Sequence, residues 1–172
     1  MDEEYFKGRG AQIKTDNKFL KAQYVAEHVE GLDEPLYSSP ATQVFQESPK
    51  KIVNKVTSPD LGMMYSMNPY QGCEHGCIYC YARNSHEYWG FNAGLDFESK
   101  IIVKKNAPAL LEKFLLNPQW DAVPISVSGN TDCYQPLEKK FEITRNILKV
   151  FARYRHPLGM ITKNGLILRD LD

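Results

Sequence analysis

Cys73, Cys77 and Cys80 fall within eight residues, in the run Gly72-Cys73-Glu74-His75-Gly76-Cys77-Ile78-Tyr79-Cys80-Tyr81, and no other feature constrains the fold so tightly. Thiols packed on one loop suit a metal or an iron–sulfur cluster, because soft sulfur ligands select zinc or iron–sulfur centres. Gly72 and Gly76 let such a loop bend sharply. A structural zinc site or a ferredoxin cluster takes four protein ligands, whereas a cubane held by three cysteines leaves one iron open. A zinc site closed by Cys133 or His75 is the competing arrangement. Of the four cysteines in the chain three are clustered, which reads as metal ligation in a reducing compartment and not as a disulfide framework.

The sequence from residue 61 onward alternates short apolar runs with amphipathic stretches, which predicts βα units and a parallel sheet. Strands are expected near Met63 to Met67, Lys100 to Lys104, Pro124 to Ser128 and Leu158 to Thr162. A helix from Pro108 follows the second strand, with Asn106 as its N-cap. A long helix from Pro136, carrying Leu137, Phe141, Leu148 and Phe151 at helical spacing, follows the third. Another helix begins near Leu166. Parallel βα folds gather functional groups at the C-terminal ends of their strands. The cysteine loop, Lys104 with Asn106, Gly129 to Asp132, and Thr162-Lys163 should therefore share one rim. Residues 1–60 show no sustained period and read as an extended, solvated arm, basic at Lys7, Arg9, Lys14, Lys18 and Lys21, then acidic at Glu27, Glu30, Asp33 and Glu34.

With Tyr79 just before its last cysteine, the Cys-x3-Cys-x2-Cys run resembles the cluster loop of radical S-adenosylmethionine enzymes. Further segments are similar to one branch of them, the spore photoproduct lyase-like proteins often labelled DNA repair photolyases. They are Asn68-Pro69-Tyr70-Gln71-Gly72, Cys80-Tyr81-Ala82-Arg83, Ile102-Val103-Lys104-Lys105-Asn106, and Gly129-Asn130-Thr131-Asp132 with Tyr134-Gln135-Pro136 and Glu138. Ile161-Thr162-Lys163 and Leu168-Arg169-Asp170-Leu171-Asp172 continue the likeness, which runs roughly from residue 40 to 172.

The resemblance implies an α/β fold, a partial (β/α) barrel of radical S-adenosylmethionine type. Four βα units are expected in residues 61–172, against about six in the family. A chain that stops at Asp172 within its last helix is thus expected to be a fragment or truncated product with an open sheet edge and its C-terminal strands missing. Cys73, Cys77 and Cys80 would hold a 4Fe-4S cluster, and the free iron would be chelated by the amino and carboxylate groups of S-adenosylmethionine. One electron from a flavodoxin- or ferredoxin-type donor would cleave that cofactor to a 5′-deoxyadenosyl radical. A lyase-like enzyme acting on a nucleobase lesion, hence DNA repair, is among the activities implied, with nucleic acid as a candidate partner.

Thr131 and Lys163 match family positions that contact the cofactor. Asn130 and Asp132 add donors and acceptors for a zwitterionic amino acid group, and Tyr79 and Tyr81 are placed to pack near the adenine. The plainer alternative for residues 130–132 is an Asx turn that caps the next helix. Cys133 stands where related sequences carry proline. A thiol there could donate a hydrogen atom to a substrate radical, but the lyase's donor cysteine precedes the Ser/Thr-Asp pair, where this chain has Ser128 and Gly129. The alternative is a small apolar filler. Arg83, His86, Tyr88 and Trp89 could stack on a base or pack as a lid, and Lys104 reads as a snorkelling strand-end lysine.

Composition bounds the rest. With 21 basic and 21 acidic residues the net charge is zero, so nucleic acid would need a local basic patch. There is no apolar run approaching about twenty residues and no signal-peptide pattern, which leads to the expectation of a cytoplasmic protein without a membrane partner. Two further readings compete: a non-catalytic metal or electron-transfer module closed by Cys133, and an inactive truncated product.

Overall fold

The structure, a computed structural model, describes residues 5–21 and 41–171. The strands and helices come in the order β1 (Gln43–Gln46), β2 (Asn54–Lys55), β3 (Tyr65–Met67), β4 (Tyr70–Gln71), a 3₁₀ helix (Tyr81–Trp89), α1 (Leu95–Ser99) and β5 (Lys100–Val103). They continue with α2 (Ala107–Leu115), β6 (Ile125–Val127), α3 (Glu138–Phe141), α4 (Ile143–Tyr154), β7 (Leu158–Met160) and a second 3₁₀ helix (Gly165–Asp170).

All four expected strands form, but they do not share one sheet. β3, β6 and β7 run parallel, with Met67 opposite Val127 and Val127 opposite Met160, and β2 adds an antiparallel edge. β5 lies in a second sheet, parallel to β1 and antiparallel to β4. The division arises at Asn68-Pro69. Before it, the Met67 carbonyl accepts from Ser128 N at 3.1 Å, and after it the Pro69 carbonyl accepts from Lys104 N at 3.1 Å. One chain segment therefore hands its first half to β6 and its second half to β5. Among the described residues neither sheet closes into a barrel.

A single core spans both sheets. Met67, Tyr70, Ile101, Val103, Ile125 and Val127 meet Ala107 and Leu111 of α2 and Ile147 and Phe151 of α4, all buried. Each large apolar side chain so buried contributes about 1.5–3 kcal/mol. Part of the stretch before residue 61, expected to be an extended arm, carries regular structure. Gln43–Gln46 and Asn54–Lys55 are strands, and Ile52 and Val53 belong to the core. The acidic stretch Glu27 to Glu34 lies outside the described residues.

The long helix expected from Pro136 is broken at Glu142, whose φ is 49°. Glu138, fully buried, explains the break. Its carboxylate accepts from Thr144 N at 3.0 Å and Arg145 N at 3.1 Å, two of the orphan amides that open α4. The Tyr70 hydroxyl also donates to it, and Arg169 pairs with it at 3.4 Å. In an unbroken helix those amides would bond within the helix and leave the buried charge poorly compensated. α2 follows Asn106 as expected, but the Asn106 side chain donates to the Pro49 carbonyl at 3.2 Å and makes no cap bond. No described helix is long and apolar enough to cross a membrane.

Candidate functional site

Three loops converge on a cavity of about 240 Å³. The cysteine loop contributes Cys73, His75, Cys77, Tyr79, Cys80 and Tyr81; the loop after β6 contributes Ser128 and Asn130 to Asp132; the loop after β7 contributes Ile161 to Lys163. These are three of the four segments expected on one rim. The fourth is elsewhere: Lys104 pairs with Glu47 at 3.9 Å and lies over the Trp89 ring, because β5 belongs to the other sheet.

The cysteine loop turns at Gly72 and Gly76, with φ of 80° and 62°, values that glycine adopts without strain. Cys73 N donates to the Phe97 carbonyl at 2.9 Å, Cys80 N to the Cys77 carbonyl at 3.2 Å, and the Arg83 guanidinium to the Cys77 carbonyl at 2.9 Å. All three thiols are free of disulfides. Cys73 is buried against Phe97 and Ala82, and burial pushes its thiol up to about 11. Among the described residues no group of three or more His, Cys, Asp or Glu side chains is drawn together tightly enough to hold one ion.

Asp132 braces the site. Its carboxylate accepts from Thr162 Oγ1 at 2.7 Å, Lys163 N at 2.8 Å and Tyr134 N at 2.8 Å, and stands 3.3 Å from His75 Nε2. Burial would raise its pKa, but these partners, His75 first, outweigh that and hold it below the usual carboxylate value. Through these contacts Asp132 joins the three loops while itself lining the cavity. The Asx turn anticipated at this place is present in the Tyr134 N bond, yet it caps no helix, since α3 starts after Leu137 without a side-chain cap.

Thr131 is buried and its hydroxyl donates to the Tyr70 carbonyl, leaving its lone pairs to accept from a ligand. Asn130 Nδ2 donates to Ser85 Oγ at 3.0 Å, and its backbone N donates to Asn68 Oδ1 at 2.9 Å. Lys163 is exposed; its ammonium contacts the Tyr79 hydroxyl, lies 4.7 Å from that ring's centre and 3.2 Å from Cys77 Sγ. These contacts, Tyr79 first, raise its pKa further. Across the mouth, the Tyr81 hydroxyl donates to the Gly129 carbonyl at 2.6 Å.

Two sets of residues singled out in the sequence lie outside the cavity lining. Cys133 is fully buried in the main core and lies outside the cavity lining, where burial pushes its thiol up to about 12. These surroundings are those of the small apolar filler. The base-stacking group also separates: His86 is fully buried between Phe91 and Phe97, Arg83 is paired with buried Glu98, and Tyr88 stacks on Phe19. Sequence reasoning missed Asn68, whose side chain accepts two successive amides of the loop after β6. Its place before a proline was the available signal.

No family model and no solved structure matches the chain. It is 39% identical over 123 residues to an uncharacterized protein of Mycobacterium tuberculosis (strain ATCC 25618 / H37Rv), a match covering 71% of this chain and 36% of that protein. It is 35% identical over 130 residues to an uncharacterized protein of Methanocaldococcus jannaschii, covering 76% of this chain and 46% of that protein. The chain thus spans between about a third and a half of the length of these curated relatives, and resembles in each a part of a longer protein.

Proposed function

We propose that this chain carries the cluster-binding portion of a radical S-adenosylmethionine enzyme of the lyase-like branch. What supports the reading most is that Cys73, Cys77 and Cys80, all free thiols, line one cavity together with Asn130, Thr131 and Lys163. Three thiols fit a 4Fe-4S cluster that keeps one iron open, and Cys133 is too deeply buried to supply a fourth. Cys73, Cys77 and Cys80 would hold the cluster, and the chemistry it would supply is one-electron reduction of the S-adenosylmethionine sulfonium.

The chain's own residues bind, orient and exclude water. Lys163 carries a positive charge at the cavity rim, suited to a carboxylate; Thr131 and Asn130 offer acceptors to an ammonium group. Tyr79 and Tyr81 give the mouth two aromatic faces on which a purine can stack. Asp132 holds the three loops in register so that these groups face one volume. A low-potential electron donor of flavodoxin or ferredoxin type is the partner this chemistry requires, and a nucleobase lesion is the substrate class suggested by the resemblance.

The test is production of 5′-deoxyadenosine from S-adenosylmethionine by anaerobically reconstituted protein and reductant. The reading requires formation that disappears in a Cys77→Ala variant. Iron-loaded protein that forms none with the full-length relative as a positive control would contradict it.

A further inference from the structure

Residues 9–13, expected to belong to a solvated arm, are bonded to the back of the cysteine loop. Glu98 of α1 is fully buried, and its carboxylate accepts from Gly10 N at 3.0 Å and Ala11 N at 2.9 Å. The same carboxylate pairs with Arg83, whose guanidinium also donates to the Cys77 carbonyl at 2.9 Å. A buried charge without partners would be costly. This one is satisfied only by joining the N-terminal segment to the residue that positions Cys77.

Two glycines make the approach close enough. Gly10 has no positive φ, so its lack of a side chain serves proximity and not backbone conformation. A Cβ there would meet the Gly76 carbonyl oxygen at 2.0 Å, a backbone atom with nowhere to yield, and Ile78 Cγ2 at 3.2 Å. Gly94 does the same from the other side. A Cβ on it would meet the Ile13 carbonyl oxygen at 2.2 Å, the atom that accepts from Leu95 N at 3.1 Å. Gly76 and Ile78 flank Cys77, so the segment abuts the stretch of loop on which a ligand thiol sits.

We propose that Arg9 to Ile13 form a strap that sets the cysteine loop. By pressing on Gly76 and sharing Glu98 with Arg83, the strap positions Cys77 and Cys80 for ligation. Gly10 and Glu98 are positioning residues of the site although neither lines the cavity. The proposal rests on the cluster reading for its consequence, cluster retention, but its geometric core concerns thiols that exist without iron.

The experiment compares the full chain with Gly10→Ala, Gly94→Ala and, as control, Gly62→Ala, where a Cβ meets nothing within 4 Å. In metal-free protein, maleimide labelling resolved by mass spectrometry should rise about tenfold at Cys77 and Cys80 in both strap variants, as weakened local packing opens the loop. Cys133 should stay unlabelled, which reports an intact core, and Gly62→Ala should match the parent. After reconstitution, cluster absorbance should decay several-fold faster in air in the strap variants. Should Gly10→Ala also expose Cys133, the fold is lost and Gly94→Ala decides. Unchanged labelling of Cys77 and Cys80 and unchanged cluster lifetime overturn the strap. A parent protein that takes up no iron overturns the cluster reading instead, while the metal-free labelling still decides the strap.

Discussion

His75 Nε2 stands 3.3 Å from Asp132 Oδ2, which brings the cysteine loop against the loop after β6. The same carboxylate holds Thr162 and Lys163, so one acid group sets the relative position of every loop around the cavity.

We predict that Asp132→Asn, which keeps the shape but replaces one acceptor oxygen by a donor, lowers stability by about 1–3 kcal/mol. The new amide nitrogen would face Lys163 N or Tyr134 N, both donors. Urea unfolding of the metal-free chain measures the loss, and iron content after reconstitution should fall with it. A variant as stable as the parent contradicts the bracing role.

Glu138→Ala should be far more damaging, costing about 3–5 kcal/mol, because it removes a buried carboxylate shared by the start of α4, Tyr70 and Arg169. Circular dichroism during thermal unfolding checks this. Survival of a cooperative transition near the parent temperature counts against the account of the break at Glu142.

His86 gives the chain an acid sensitivity. Burial lowers its pKa to about 4, and both ring nitrogens lack a hydrogen-bond partner. Between that value and its ordinary 6.5 the unfolded chain binds a proton that the folded chain does not. Stability therefore falls as pH falls through this window, by roughly 3 kcal/mol if the whole shift is expressed. His86→Leu should flatten the dependence in denaturant titrations from pH 7 to 4.5. An equal slope in parent and variant contradicts the assignment.

Cys133→Ala should cost about 1–2 kcal/mol of packing and leave iron and sulfide content at the parent level. Loss of metal in this variant, assayed by elemental analysis, contradicts the three-thiol site and favours a centre closed by Cys133.

The parts legible in the sequence were those carried by local pattern. Runs such as Ile101-Ile102-Val103 announced buried strands, and the cysteine spacing with Gly72 and Gly76 announced a tight loop. What escaped depended on distant partners. Gln43 to Gln46 is an exposed, polar-flanked strand whose only justification is parallel pairing with residues 100–103. The helix break at Glu142 follows from burying Glu138, and the strap follows from burying Glu98. Acidic side chains are ordinarily solvated, so no single-sequence pattern marks Glu98 and Glu138 as buried. Cys133 was ambiguous for a related reason: a thiol can be reactive or inert according to burial alone.

The most direct test of the central claim is electron paramagnetic resonance of the anaerobically reconstituted, dithionite-reduced protein, recorded with and without S-adenosylmethionine. The account predicts a 4Fe-4S signal that shifts when the cofactor is added, with the shift weakened in Lys163→Ala. A cluster signal indifferent to the cofactor, or tight zinc in place of iron, would contradict it.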